Sequence, residues 1–410
     1  MAVKKSTGIN PGSGKKKSMF DIIKSVDKSA EILAEDKTAE ISDYIDTGNY
    51  ILNAAITGSM FKGVPAGRCT VLAGDPGTGK TYLAMSICRN AQKKGYFVVY
   101  MDSEASVDTE FIKRLGCDPE RMMVKPVMTI SEVSTFVSNI CKQISETPEE
   151  ERDKLILVLD SLGNLTSDKE YNDTVEGNSK RDMTKQQEIK ALFRTNATAL
   201  GRLNIPFIVN SHVYQTLDLY AKKIVSGGSG INFNASVTLM LSVSKMDDRE
   251  SDKIAASKGG EVMKTGVIVT AKPQKSRFTI PHVVQFQIPF YKAPNPYVGI
   301  EQYLNWDNSG IIQGSVIDQK AYDKLSDAEK STCHPMKDEN GADCYAFPRS
   351  TVRTIVVRHL GKQVPIAELF TPKVLTEELL HSLDESTIRP NFELPTTGST
   401  ADIDELLENE

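Results

Sequence analysis

Apolar residues gather along this chain in short runs of strand length, and between several of these runs they recur at the three- and four-residue spacing of a helix. Cys69-Thr70-Val71-Leu72-Ala73 is the first clear run, and Leu83, Ile87 and Ala91 predict a helix over residues 81–92. Gly95 precedes a β-rich run over residues 96–102 that ends in acids. A helix-like stretch at 111–115 stops at Gly116, and Val133, Phe136, Val137, Ile140 and Ile144 give residues 131–144 one apolar face. Leu155–Asp160 is the most apolar strand, and further strands are expected over residues 206–211, 237–243, 266–271 and 283–290. Ahead of them Phe20, Ile23, Val26, Ala30 and Leu33 predict an amphipathic helix over residues 18–34, which needs a core of its own or a neighbouring subunit to pack on.

Helical patterns separate the earlier strands, which implies parallel βαβ units, whereas the later strands follow one another closely and suggest antiparallel extension of the same sheet. The expected fold is therefore α/β, a mostly parallel central sheet flanked by helices. A basic flexible N-terminus with its oligomerisation helix would fill residues 1–44 and the core residues 45–300. Residues 301–410 would form a small C-terminal region, α-rich over 303–380, ending in an acidic tail.

The 410 residues are 40% hydrophobic and 25% charged with a net charge of −5, ordinary for a globular protein and contrary to a generally basic nucleic-acid coat. No apolar run approaches a membrane span or the core of a signal peptide, so no membrane partner and a cytoplasmic location are expected. Cys69, Cys88, Cys117, Cys141, Cys333 and Cys344 are scattered, as reduced thiols are; Cys333-His334 with Cys344 lacks a fourth ligand at zinc spacing. Charge is uneven. Lys4, Lys5, Lys15, Lys16 and Lys17 crowd the N-terminus, while residues 376–410 are acidic with Arg389 the sole Lys or Arg. Such a tail either competes with DNA for basic elements or simply solubilises the chain.

Between the first strand and its helix stands Gly74-Asp75-Pro76-Gly77-Thr78-Gly79-Lys80-Thr81, a full match to the phosphate-binding pattern G-x-x-x-x-G-K-[ST]. Gly77 and Gly79 can take positive φ, so successive N–H groups can turn into one concavity. Lys80 then reaches the β- and γ-phosphates of ATP, and the Thr81 hydroxyl suits Mg²⁺. Asp160, at the end of a buried strand, is placed to hold the Mg²⁺ shell opposite Thr81. A general base for the attacking water is expected at the end of the neighbouring strand, where Asp102, Glu104 and Asp108 all compete.

Taken together, Gly74 to Thr81, Tyr100-Met101-Asp102-Ser103-Glu104, Asp160-Ser161-Leu162-Gly163-Asn164-Leu165 and Ile205 to His212 resemble the core of RecA-type recombinases. Asp182-Met183-Thr184 with Leu192-Phe193-Arg194 resembles more closely the UvsX recombinases of T-even-type phages; the likeness covers roughly residues 45–300. The resemblance implies a RecA-like P-loop ATPase fold with Glu104 as general base and His212 in place of the usual γ-phosphate-sensing glutamine. It sets Asp108 and Phe111 beside the adenine, although Phe111 equally suits a core. Two cations would complete the next subunit's ATP site; Lys275 and Arg277 match best, with Lys272 in contention.

Two stretches poor in apolar residues, about 164–183 and 213–234, are expected to be mobile loops, and long unstructured segments inside a core tend to be functional. Their placement resembles the two DNA-binding loops of the family, with Arg181, Thr184, Gly227, Gly228 and Ser229 at matching positions and Lys185, Lys222 and Lys223 adding charge. The expected activity is that of a DNA-dependent ATPase which forms helical filaments on single-stranded DNA and exchanges strands with a homologous duplex. Mediator or single-strand-binding proteins would be partners, and host cytoplasm the location. The rival expectations are a RecA-fold ring helicase and a non-catalytic ATP-binding annealing or mediator protein.

Overall fold

The computed structural model describes residues 18–26, 40–177, 184–215, 223–227, 230–231, 234–246, 265–290 and 293–394. The chain divides into two compact units, Met1–Glu40 and Ile41–Glu410. In the first, α1 spans Met19–Val26, and Met19, Ile22, Ile23 and Val26 along it are exposed; the rest of the helix expected over 18–34 lies outside the described residues.

The second unit opens with β1 (Tyr44–Ile45) and β2 (Val64–Pro65), paired around α2 (Tyr50–Thr57). The first long strand is β3 (Cys69–Gly74), followed by α3 (Lys80–Lys93), β4 (Phe97–Asp102), α4 (Thr109–Arg114), β5 (Met122–Pro126), α5 (Ile130–Glu146) and β6 (Leu155–Asp160). After α6 (Asp168–Val175) and α7 (Lys185–Arg202) come β7 (Phe207–Ser211), the hairpin β8 (Val213–Gln215) with β9 (Lys223–Val225), then β10 (Val237–Met246), β11 (Gly266–Ser276) and β12 (Val284–Pro289).

Eight strands form one sheet in the order β12-β11-β10-β3-β7-β6-β4-β5. The run from β10 to β5 is parallel and the β10-β11-β12 end antiparallel, as the spacing of helices along the sequence implies. Because both faces of the parallel strands are covered, β3, β4 and β6 read as continuous apolar runs rather than as alternations. Leu72, Tyr100, Val158 and Ile208 pack with α2 and α3 on one face, while Val71, Leu159 and Val209 pack with α5 and α7 on the other. Strand β5 was not expected. Its sequence is short, ends in Pro126 and leaves Met123 and Val124 exposed at the sheet edge, so it lacks the pattern of an inner strand.

Three expectations are corrected. Residues 303–380 are not α-rich: β13 (Ile311–Ile317), β14 (His334–Lys337), β15 (Asp343–Pro348), β16 (Thr354–Val357) and β17 (Lys362–Pro365) form an antiparallel sheet in the order β14-β15-β13-β16-β17. β14, β16 and β17 have four residues each, β13 and β15 show no regular alternation of buried and exposed positions, and the core is small: Trp306, Met336, Cys344, Ala346 and Val356. The stretch 164–183 is not a bare loop, since Ser167 accepts from the Glu170 amide at 2.9 Å and caps α6, whose exposed Tyr171 and Val175 gave no helical stripe. The stretch 213–234 contains the β8–β9 hairpin. The acidic tail beyond Leu394 and the N-terminal lysines lie outside the described residues. No helix among the described residues is long and apolar enough to cross a membrane.

The C-terminal segment is tied to the core by Asp384, which is fully buried. Its carboxylate accepts from Ser59 Oγ at 2.7 Å and the Met60 amide at 2.6 Å, and it pairs with Arg389 Nε at 3.0 Å. Removing it leaves a buried amide and hydroxyl without an acceptor and takes the buried partner away from the part-exposed Arg389. Asp384→Ala is therefore expected to lower stability by about 3 kcal/mol in urea unfolding, and a loss under about 1 kcal/mol would contradict this anchoring role.

Candidate active site

Strand β3 delivers Gly74, and Gly79, at φ +86°, is the N-cap of α3, with Gly77 at φ +76° between them. A side chain at position 79 would be strained in that backbone region and would also meet Ile288 at 2.6 Å, so glycine is required there. The loop thus wraps the N-terminus of α3, where unpaired N–H groups and the helix dipole favour an anion. It borders a cavity of about 270 Å³ whose other walls are Tyr82, Glu104, Asp160 and His212.

Lys80 is buried at the foot of this cavity, and its Nζ donates to the carbonyls of Gly74 and Asp75, at 2.9 Å each. Burial pulls its pKa below the usual lysine value, against the opposing pull of Asp160, Glu104 and Asp75. Thr78 Oγ1 donates to the Asp75 carbonyl at 2.8 Å and closes the loop from within.

Thr81 Oγ1 and the Tyr100 hydroxyl both donate to Asp160 Oδ2, at 2.7 and 2.6 Å. Burial first, and then the Asp160 charge, hold the Tyr100 pKa far above its ordinary value, so Tyr100 keeps its proton and remains a donor. A buried carboxylate and a hydroxyl in contact make an all-oxygen donor set, which fits Mg²⁺, a hard cation that retains much of its water.

The three competing acids part company in the structure. Asp102 is buried, and its carboxylate accepts from the amides of Glu104, Ser106 and Val107 at 2.9, 3.0 and 3.3 Å, which shapes the turn after β4. Asp108 caps α4 by accepting from the Phe111 amide at 2.7 Å. Glu104 alone of the three lines the cavity. Its Oε1 accepts from Ser161 Oγ at 2.8 Å and lies 3.1 Å from His212 Nε2. Gly163 makes this approach possible, since a Cβ there would come within 2.8 Å of the His212 ring.

Lys275 and Arg277 sit elsewhere. The register sets Lys275 opposite Thr238 and Ser276 opposite Val237, which lies beside Thr70 near the start of β3. That is four residues, roughly 13 Å, from the Gly74 end of the strand. The Arg277 amide donates to the Ser236 carbonyl beyond the last pair. Burial and the neighbouring Arg277 lower the Lys275 pKa. Lys272 lies opposite Met240, closer to the level of the phosphate-binding loop, and is exposed.

Among the residues expected to meet DNA, Arg181, Gly228 and Ser229 lie outside the described residues. Thr184 is the N-cap of α7, and Lys185 Nζ lies 3.9 Å from Glu170. Gly227 is buried at φ +103°, against Ile231 and Leu162. Phe111 packs part-buried against the larger core, and neither it nor Asp108 lines the cavity. Sequence reasoning missed Tyr82, Tyr100 and Ser161. It also missed that Lys223, read as charge for DNA, pairs with Asp75 of the phosphate-binding loop at 2.5 Å. The run from Tyr100 to Glu104 carried a signal for the end of β4, but nothing in sequence spacing shows which side chains of neighbouring strands will meet.

A family model described as the RecA N-terminal domain matches residues 15–281. The chain is 27% identical over 222 residues to the recombination and repair protein of Enterobacteria phage T4, covering 54% of this chain and 55% of that protein. It is also 27% identical over 284 residues to protein RecA of Wolinella succinogenes, covering 67% and 74%, and 28% identical over 232 residues to protein RecA of Helicobacter pylori, covering 55% and 63%. The match thus spans about half the length of the phage relative. With the family model covering well over half of its residues, the chain belongs to the RecA family.

Proposed function

We propose that this chain is an ATP-dependent DNA recombinase that polymerises on single-stranded DNA and exchanges strands with a homologous duplex. The observation that carries this reading is the separation of two half-sites along one sheet. The phosphate-binding loop, Asp160, Glu104 and His212 gather at one end of β3, β4, β6 and β7, while Lys275 and Arg277 lie at the other end of β10 and β11. A cation edge this far from its own loop is placed where it could meet the loop of another copy, and a head-to-tail contact that does not close grows into a helix. The relatives named for recombination and for RecA support the same reading.

In this reading Lys80 exchanges its loop carbonyls for phosphate oxygens, and the amides at the start of α3 hold the triphosphate. Mg²⁺, held through Thr81 and Asp160, would neutralise charge on the phosphates. Glu104 takes the proton of the attacking water, while Ser161 and His212 fix the orientation of its carboxylate. Since His212 leads straight into the β8–β9 hairpin, and Lys223 of that hairpin holds Asp75, occupancy of the nucleotide site is coupled to the segment expected to hold DNA. Sequence specificity comes from base pairing, with the protein holding backbone and shape.

Two outcomes follow. With ATP and Mg²⁺, the protein should form joint molecules between homologous single-stranded and duplex DNA, and Lys80→Ala should form none; a closed ring that unwinds forked DNA would overturn the assignment. Glu104→Gln should hydrolyse ATP at least about 100-fold more slowly while keeping ATP-dependent DNA binding. Unchanged turnover would show that nucleotide serves only a structural purpose.

A further inference from the structure

Asn210 lies in β7 with no exposed surface, and among the described residues neither its Nδ2 nor its Oδ1 has a hydrogen-bond partner. Burying an amide with both roles unmet is costly, and native interiors rarely keep such a group unless water or an ion completes it. Nothing in the chemistry described above employs it.

Its position is informative. Strand β7 runs between β3 and β6, with Asn210 opposite Leu72 and Val209 opposite Leu159. One step further along that register, Asn210 and Asp160 stand side by side. Alternation fixes the face. Ile208 and Val158 belong to the core beneath α3 and Val209 and Leu159 to the opposite one, so Asn210 and Asp160 both face α3. Two residues on, His212 lines the cavity from just beyond the end of the same strand. Asn210 is thus one pleat below the cavity wall and one strand away from the carboxylate that Thr81 and Tyr100 grip.

We propose that Asn210 is a positioning residue of the metal site, its amide giving one donor and one acceptor to the hydrogen-bond shell that joins Asp160 to the waters Mg²⁺ retains. The residue type suits the task. An apolar side chain would offer no bond there, and a carboxylate would add a second buried negative charge beside Asp160. An amide donates toward the carboxylate and accepts from a water proton with no net charge. Outer-shell groups of this kind orient the direct ligands, and their loss commonly weakens metal binding 10- to 100-fold.

This inference rests on the reading of the cavity as a Mg²⁺-nucleotide site, and the test separates the two. Binding of ADP carrying a fluorescent ribose label is titrated with Mg²⁺ for the wild-type protein, Asn210→Val and Asn210→Thr, the last two alike in shape and different by a hydroxyl. In EDTA all three should bind the probe equally. The Mg²⁺ needed for half-maximal enhancement should rise about tenfold or more in Asn210→Val and stay within about threefold of wild type in Asn210→Thr. Without nucleotide, both variants should melt at or above the wild-type temperature, because the unpaired buried amide is gone. A wild-type Mg²⁺ requirement in Asn210→Val, equal weakening in both variants, or lowered melting of both would overturn the proposal in favour of a plain packing role. A wild-type protein indifferent to Mg²⁺ would instead overturn the nucleotide-site reading beneath it.

Discussion

The contact on which the site depends is the meeting of Thr81, Tyr100 and Asp160. It joins α3, β4 and β6 through one carboxylate oxygen in the protein interior. Two hydroxyl donors give that buried oxygen the hydrogen-bond partners that water would otherwise supply. The same contact fixes the height of the phosphate-binding loop against the strand ends that carry Glu104 and His212. If α3 shifted along the sheet, Lys80 and Glu104 would no longer share a cavity.

The sheet register imposes the second constraint. Parallel strands put every strand-end acid on one edge, where ligand sites of open α/β sheets form. The antiparallel return of β11 carries Lys275 and Arg277 back to the opposite edge. In the proposed reading the two edges are each half of a site, so that polymerisation would be part of the chemistry rather than an addition to it. The Lys223–Asp75 pair sits on the loop-bearing edge and is half-exposed on both sides, so it contributes little stability and can exchange partners readily.

Much of the core was legible because its rules are local. Buried parallel strands announce themselves as apolar runs, the glycine-lysine loop has a fixed spacing, and Asp160 and Glu104 follow their strands directly. What was not legible depends on contacts between segments distant in sequence. Asp102, Glu104 and Asp108 look equivalent along the chain, and only the turn amides held by Asp102 and the cap made by Asp108 remove them from the contest. Tyr100 and Asn210 read as ordinary strand residues until the register puts Asp160 beside them. The C-terminal sheet went unseen because three of its strands have only four residues and the other two lack a regular alternation, and α6 because its surface is almost wholly polar.

The composite site is the centre of this account, and mixing two inactive proteins tests it most directly. Lys80→Ala spoils the loop but leaves the cation edge, whereas a Lys275→Ala, Arg277→Ala protein does the reverse. On single-stranded DNA, each alone should hydrolyse almost no ATP. An equal mixture should recover roughly a quarter of wild-type turnover, the share of head-to-tail contacts that pair an intact loop with an intact edge. A mixture as inactive as its components, or full activity of the double variant by itself, would contradict the claim that neighbouring subunits complete each other's site.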